Sequence, residues 1–269
     1  MVLYELMRPD QVVGARASAP VAYVPIGPLE WHGPHLPLGL DGLHAHEVAV
    51  RAAEEVGGVV LPTLFAGTET VRPPGPGPQS LAALGLPEDE RIVGMDFPRH
   101  SVDSTYFEES AFGISVRELV TSLTSAGFRI VILVNGHGAT NHQATLRRIA
   151  TEADRPGLQR VVYHLAFLPD PEAAGPGHAA REETAIALAL CPSQVRCDLL
   201  PPVDDPLRYA DYGIVDARAF DGHPAPGHTL PADDHPRSAT AEEGAAILGA
   251  EGRALAQRVL GLLNGEVQP

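Results

Sequence analysis

Three short segments gather the side chains able to do chemistry. The densest is Gly27-Pro-Leu-Glu-Trp-His-Gly-Pro-His-Leu-Pro-Leu-Gly-Leu-Asp41. In an extended chain, residues two apart point to the same side, so Glu30 and His32 can converge on one point. Asp41 follows after a turn-rich excursion that can bring it back toward them. Carboxylate, imidazole and second carboxylate make a ligand set for zinc, manganese or iron. Any one of these residues alone reads as a solvated loop side chain. Three ligand types directly after a strand, in a loop full of Pro and Gly, favour a metal site. The second segment is Val134-Asn-Gly-His-Gly-Ala-Thr-Asn141. Small residues at 136, 138 and 139 leave room for the His137 imidazole and for close backbone approach to a ligand. A phosphate-cradling turn is the rival reading, but neither the full dinucleotide fingerprint nor a Lys-Ser/Thr follows the Gly-x-Gly pair. The third is Gly175-Pro-Gly-His-Ala-Ala-Arg-Glu-Glu-Thr184, a Gly/Pro loop entering a helix. His178 sits near the helix start, with Glu182 and Glu183 in the first turns. Acids favour helix N-termini in any case, and helical geometry puts Glu182 nearer the face of His178. Spacing alone does not choose between the two.

The elements that must hold these segments alternate. Val21–Ile26 reads as a buried strand, His44–Val56 as a helix and Val59–Pro62 as a short strand. Ile114–Gly127 follows as an amphipathic helix ending on a glycine. Phe128–Val134 is almost wholly apolar, as expected of a strand covered on both faces. Thr140–Ala153 is helical, Gln159–His164 a strand, Ala180–Leu190 a helix and Ala241–Leu263 a long Ala/Leu-patterned helix. This order predicts an α/β fold around a mostly parallel sheet flanked by helices, with residues 1–269 as one domain. Two Pro-rich stretches, Phe65–Phe112 and Pro201–Arg237, interrupt the alternation, and loops so long are usually lids, contacts or mobile segments.

Composition removes whole classes of function. With 19 basic and 34 acidic residues among 269, the formal charge is −15. A nucleic-acid binder needs a basic patch, and an anionic membrane surface would repel such a chain. No apolar run approaches the roughly 18–20 residues of a membrane span. The opening MVLYELMRPD lacks the basic start and apolar core of a secretory signal. Cys191 and Cys197 make neither a disulfide framework nor a zinc ribbon, and two reduced cysteines suit a cytoplasmic protein.

Taken together, the three segments resemble the creatininase (creatinine amidohydrolase) family. Its first motif is similar to Glu-x-His-Gly-Pro-His-Leu-Pro-Leu-x-x-Asp, matched by Glu30 through Asp41. Its Asn-Gly-His-Gly matches residues 135–138, and its His-Ala-x-x-x-Glu-Thr matches 178–184, in family order. The resemblance implies a creatininase-like fold and two divalent ions per chain (zinc, manganese or iron). It implies Glu30 and His137 on one ion, His32 on the other and Asp41 bridging. Creatinine-hydrolysing members take the last ligand from a Glu two residues after the second-motif His, where this chain has Ala139. Members with a small residue there look to the Glu-Thr pair, which makes Glu183 the candidate. The resemblance also implies a homo-oligomer, a hexamer.

The departures bear on substrate. Creatinine-hydrolysing members carry an aromatic where this chain has Gly138, and a Trp-Asp pair where it has Ala174-Gly175. Trp31 is the only tryptophan, so creatinine itself is disfavoured. The segment Arg72–Ser104 is longer than in creatininase, and Arg72, His100, Asp103, Ser104 and Tyr106 could line a pocket of this branch. The expected chemistry is a metal-bridging hydroxide, formed because coordination lowers water's pKa to roughly 7, cleaving an amide-type C–N bond in a cyclic amide or formamide. His178 would pass a proton to the leaving nitrogen as general acid. The alternatives are hydrolysis of a C–C bond beside a ketone in an inosose-type ring, and a metal-free binding or assembly protein.

Overall fold

The structure is a computed structural model that describes residues 2–75, 80–82, 86–97, 100–168, 177–200, 209–210, 213–214, 230 and 232–265. The Ala174-Gly175 pair and most of the Pro201–Arg237 stretch lie outside the described residues. Strands β1 (Val21–Ile26), β2 (Val59–Val60), β3 (Ile130–Asn135) and β4 (Arg160–Leu165) form a parallel sheet in the order β2-β1-β3-β4. Helices α1 (Pro9–Ser18), α2 (Leu40–Val56), α3 (Glu109–Ser125), α4 (Thr140–Ala153), α5 (Arg181–Leu190) and α6 (Ala241–Leu263) surround it. The expected α/β class is therefore the observed one. Among the described residues no helix is long and apolar enough to cross a membrane.

The strand sequences explain the layering. Every residue of β1 and β3 is buried, and their side chains alternate between two cores. Val21 and Tyr23 of β1, with Ile130, Ile132 and Val134 of β3, pack against α2, α5 and α6 through residues such as Val48, Ile186 and Leu255. Ala22, Val24, Ile26, Val131 and Leu133 face the opposite layer, where α3 and α4 supply Phe112, Val116, Leu146 and Ile149. A sheet covered on both faces needs such continuous apolar strands.

This layering also fixes where a ligand can bind. The chain leaves β1 toward α2 on one face and leaves β3 toward α4 on the other. β1 and β3 are neighbours, so their outgoing loops part at the carboxyl edge of the sheet. In open α/β sheets that divergence is where ligands bind. The first and second chemical segments are these two loops.

Several boundaries differ from the sequence expectation. Helix α2 begins at Leu40, four residues before His44, so Asp41 lies on its first turn rather than in a loop. Gly42 disguises that start. A Cβ there would lie 2.6 Å from the Phe65 ring, so the position needs glycine despite its poor helix propensity. Helix α1 went unanticipated because it buries no residue and so has no apolar face to read, which leaves only end signals such as Pro9 at its first position and Gln11 closing back on Arg8 N–H. Helix α3 starts at Glu109, ahead of Ile114, and β3 runs Ile130–Asn135, so Asn135 belongs to the strand. The Phe65–Phe112 stretch is partly ordered by bridges Gly67↔Tyr106 and Val71↔Val93. It carries its own buried residues, among them Leu81, Ile92, Met95 and Phe97.

Candidate metal centre

Each chemical side chain is placed by a local device. Beyond β1, the loop is closed by Glu30 N–H donating to Leu38 O at 2.8 Å. His32 Nδ1 lies 3.0 Å from the backbone carbonyl of Glu30. A carbonyl only accepts, so Nδ1 carries the proton and Nε2 is turned inward. Asn135, at the end of β3, clamps the next turn. Its Nδ2 donates to His137 O at 2.7 Å and its Oδ1 accepts His137 N–H at 2.9 Å. Gly136 passes the first turn of α2 so closely that a Cβ would lie 2.0 Å from Asp41 O. Before α5, Ala179 adopts φ +60, a left-handed conformation costing a non-glycine residue roughly 1–2 kcal/mol. That turn aims its N–H at Glu183 Oε2, 2.6 Å away.

These devices bring six buried side chains together: Glu30, His32, Asp41, His137, His178 and Glu183. Asp41 is central. Its Oδ1 lies 3.0 Å from His32 Nε2 and its Oδ2 2.9 Å from His137 Nδ1. Glu30 Oε2 lies 3.1 Å from the same His137 Nδ1, and Glu183 Oε2 lies 3.8 Å from His32 Nε2. Two overlapping groups of potential ligand atoms result, Glu30–Asp41–His137 and His32–Asp41–Glu183, each within 4.8 Å. A third group joins Glu30, His32 and His178. Ligand atoms about 2.0–2.2 Å from a tetrahedral zinc stand roughly 3.3–3.6 Å apart, so the spacing and the donor types fit divalent ions.

Electrostatics agree with that fit. Burial disfavours the charged form of His32, yet Asp41 and Glu183 overcome it and hold its pKa up at about 10. Burial acts likewise on His137, and Glu30 and Asp41 raise its pKa well above the usual imidazole value. Burial pushes Asp41 upward, but His32 and His137 bring it below the normal carboxylate range. Glu30 is lowered too, with burial opposed by His137 and His178. Without an ion, carboxylates this deeply buried draw protons onto neighbouring imidazoles, because an unpaired buried charge is costly.

His178 stands at the edge of the cluster. Its Nε2 donates to Trp31 O at 2.5 Å, its Nδ1 lies 3.7 Å from Glu183 Oε2, and its ring packs 4.3 Å from that of His32. The choice left open by spacing falls on Glu183. Glu182 is only half-buried and lies in the field of Glu251, Glu183 and His44, so the helical argument favouring it fails. The left-handed turn at Ala179 resets the phase between His178 and α5, which removes the assumed i, i+4 relation.

Of the segment that could line a branch-specific pocket, four residues are drawn inward. Tyr106 donates its hydroxyl to Glu30 Oε1. Ser104 Oγ accepts Trp31 N–H at 2.9 Å, and His100 stacks on the Trp31 ring at 4.1 Å. Arg72 is buried with its guanidinium 5.1 Å over the Phe97 ring. Asp103 is exposed. Sequence reasoning missed three supporting residues. His35 donates from Nε2 to Thr184 Oγ1 at 3.1 Å, because the Thr184 hydroxyl hydrogen goes to Ala180 O. That bond ties the first segment to the third. His142 accepts Thr68 N–H on Nδ1 at 3.3 Å and packs edge-on to His137 at 5.0 Å. Glu69 Oε2 lies 3.9 Å from His137 Nε2. His35 stands inside the first segment and His142 just beyond the second, but the supporting contacts of all three residues are tertiary, and no spacing or periodicity announces them.

Comparison with known proteins follows the same lines. The family model described as creatininase, creatinine amidohydrolase, matches residues 5–83 and 103–259. Creatinine amidohydrolase of Pseudomonas putida is 25% identical over 248 residues, covering 85% of this chain and 84% of that protein. The crystal structure of creatinine amidohydrolase (creatininase) superposes with a TM-score of 0.66 at 24% identity, over 97% of each chain. A manganese form of creatininase gives 0.62 at 22% identity, over 96% of this chain and 97% of that one. A Glu→Gln variant of creatininase in a Zn–Zn form gives 0.63 at 23% identity, over 96% of each. Fold, motif order and a family match spanning most of its length together establish that the chain belongs to the creatininase (creatinine amidohydrolase) family.

Proposed function

We propose that this chain is a metal-dependent hydrolase that cleaves an amide-type C–N bond, in a cyclic amide or formamide, of a small molecule. The observation that carries the reading is the pair of ligand groups sharing Asp41 at the carboxyl edge of the sheet. Glu30 and His137 would hold one divalent ion, His32 and Glu183 the other, with Asp41 between them. Manganese and zinc forms of related creatininases support these metals. The same reading takes a homo-oligomer, a hexamer by resemblance, in the cytoplasm as the working form.

Ions held there would supply an activated water at neutral pH and polarise the scissile carbonyl. The chain's own residues do the rest. His178 fixes its Nε2–H on the Trp31 carbonyl, so the proton it can deliver to a leaving nitrogen is held on Nδ1. Asn135 and Gly136 keep the His137 loop against α2, so the ligand groups are set before any substrate arrives. Gly138 faces open space, with nothing within 4 Å of where a Cβ would stand. That leaves room for a substrate where creatinine-hydrolysing relatives carry an aromatic side chain.

Metal loading is expected to be steeply pH-dependent. His32 and His137 both have raised pKa values, so both are protonated at neutral pH when no ion is present. Ligation needs their neutral forms, and loading therefore expels roughly two protons per chain. Apparent affinity rises with pH, and calorimetry in buffers of different ionisation enthalpy measures the proton release. No release at pH 7 would contradict this electrostatic picture.

The substrate class is tested with metal-reconstituted protein against panels of lactams, formamides and cyclic ketones. The expected result is turnover with an amine released. Turnover confined to ketone rings, with no amine, would replace this reading with C–C hydrolysis.

A further inference from the structure

The two ligand groups are supported in different ways. On the His32 side the outer contacts are backbone groups of the motifs themselves: Glu30 O takes the proton of His32 Nδ1, and Ala179 N–H donates to Glu183 Oε2. On the His137 side they are side chains from the Phe65–Phe112 stretch. The Tyr106 hydroxyl donates to Glu30 Oε1, which leaves Oε2 facing His137 Nδ1 at 3.1 Å. Behind the His137 ring, the buried Nε2 has no hydrogen-bond partner among the described residues. The carboxylate of Glu69 stands 3.9 Å from it. His142, packed edge-on to the same ring, cannot serve as acceptor. Its Nδ1 is taken by Thr68 N–H, so in the neutral ring its Nε2 carries the proton.

The position of Glu69 is built rather than incidental. Its Oε1 accepts Thr70 N–H at 2.5 Å and the Thr70 hydroxyl at 2.9 Å, which turns Oε2 toward His137. Gly94 makes the space. It has φ +54, and a Cβ there would lie 2.2 Å from Glu69 Cγ and 2.9 Å from the Tyr106 oxygen. Gly94 falls within residues 84–102, which the family match skips.

We infer that Glu69 and Tyr106 are positioning residues that make the Glu30–Asp41–His137 site the tighter of the two, so that it fills first. This rests on the two-ion reading above. A carboxylate behind a ligating histidine fixes its tautomer and raises its basicity, and losing such a partner typically weakens metal binding 10–100-fold. The His32 imidazole is backed by a neutral carbonyl and lacks that enhancement. Two side chains of the Phe65–Phe112 stretch thus set the order of loading.

The test is stepwise titration of metal-stripped protein with Zn²⁺ against a chromophoric chelator, for wild type, Glu69→Gln, Glu69→Asp and Tyr106→Phe. Two steps are expected in wild type. Glu69→Gln and Tyr106→Phe should each weaken the tighter step about 10–100-fold and leave the weaker one in place, and Glu69→Asp should recover part of the loss. Tyr106→Phe removes no charge, so it separates positioning from a general field effect. Thermal melts of the metal-free variants verify their folding. Unchanged steps, or equal weakening of both, would overturn the inference while leaving the two-ion reading intact. A wild type that binds fewer than two ions would instead remove the reading on which it rests.

Discussion

Asp41→Ala is expected to abolish both metal sites at once. Each of the other four candidate ligands belongs to one of the two sites, whereas Asp41 presents Oδ1 to His32 and Oδ2 to His137, 3.0 and 2.9 Å away. Removing it leaves each ion with two protein ligands. It also removes the carboxylate that both imidazoles face. Losing a supporting partner costs 10–100-fold in affinity, so losing a shared ligand should cost more than about 100-fold at each site, with activity falling to background. Elemental analysis after dialysis checks this, because the variant should retain neither ion. Asp41→Asn keeps the shape without the charge and should also fail. Full occupancy in either variant would remove Asp41 from the ligand set.

His178→Ala should have the opposite profile, keeping metal and losing turnover. Neither group that shares Asp41 needs His178, and its Nε2 is committed to the Trp31 carbonyl. Loss of a positioned general acid lowers turnover by roughly 10²–10⁴-fold, with little change in KM where the residue does not bind substrate in the ground state. His178 also shares a cluster with Glu30 and His32, so metal content decides the matter. A His178→Ala protein that binds one ion fewer would make His178 a ligand and leave the proton donor unassigned.

How far the sequence could be read depended on the kind of signal. β1 and β3 were legible because a strand buried on both faces must be apolar throughout, and VAYVPI and FRIVILV are. Glu30, His32 and His137 were legible because each follows one of these strands within a few residues. Asp41 was legible as a candidate ligand but not as part of a helix, since Gly39 and Gly42 conceal the start of α2. The choice between Glu182 and Glu183 hinged on one backbone torsion, at Ala179, which no residue pattern announces. Glu69 and His142 lay out of reach for another reason. Their importance arises only when the Phe65–Phe112 stretch folds back on the His137 ring, and that contact is tertiary.

The central claim is that one chain holds two ions astride Asp41. Anomalous diffraction from crystals grown with zinc tests it most directly. The account predicts two peaks per chain, one among Glu30, Asp41 and His137 and the other among His32, Asp41 and Glu183. A single peak, or none at these residues in zinc-saturated protein, would contradict it.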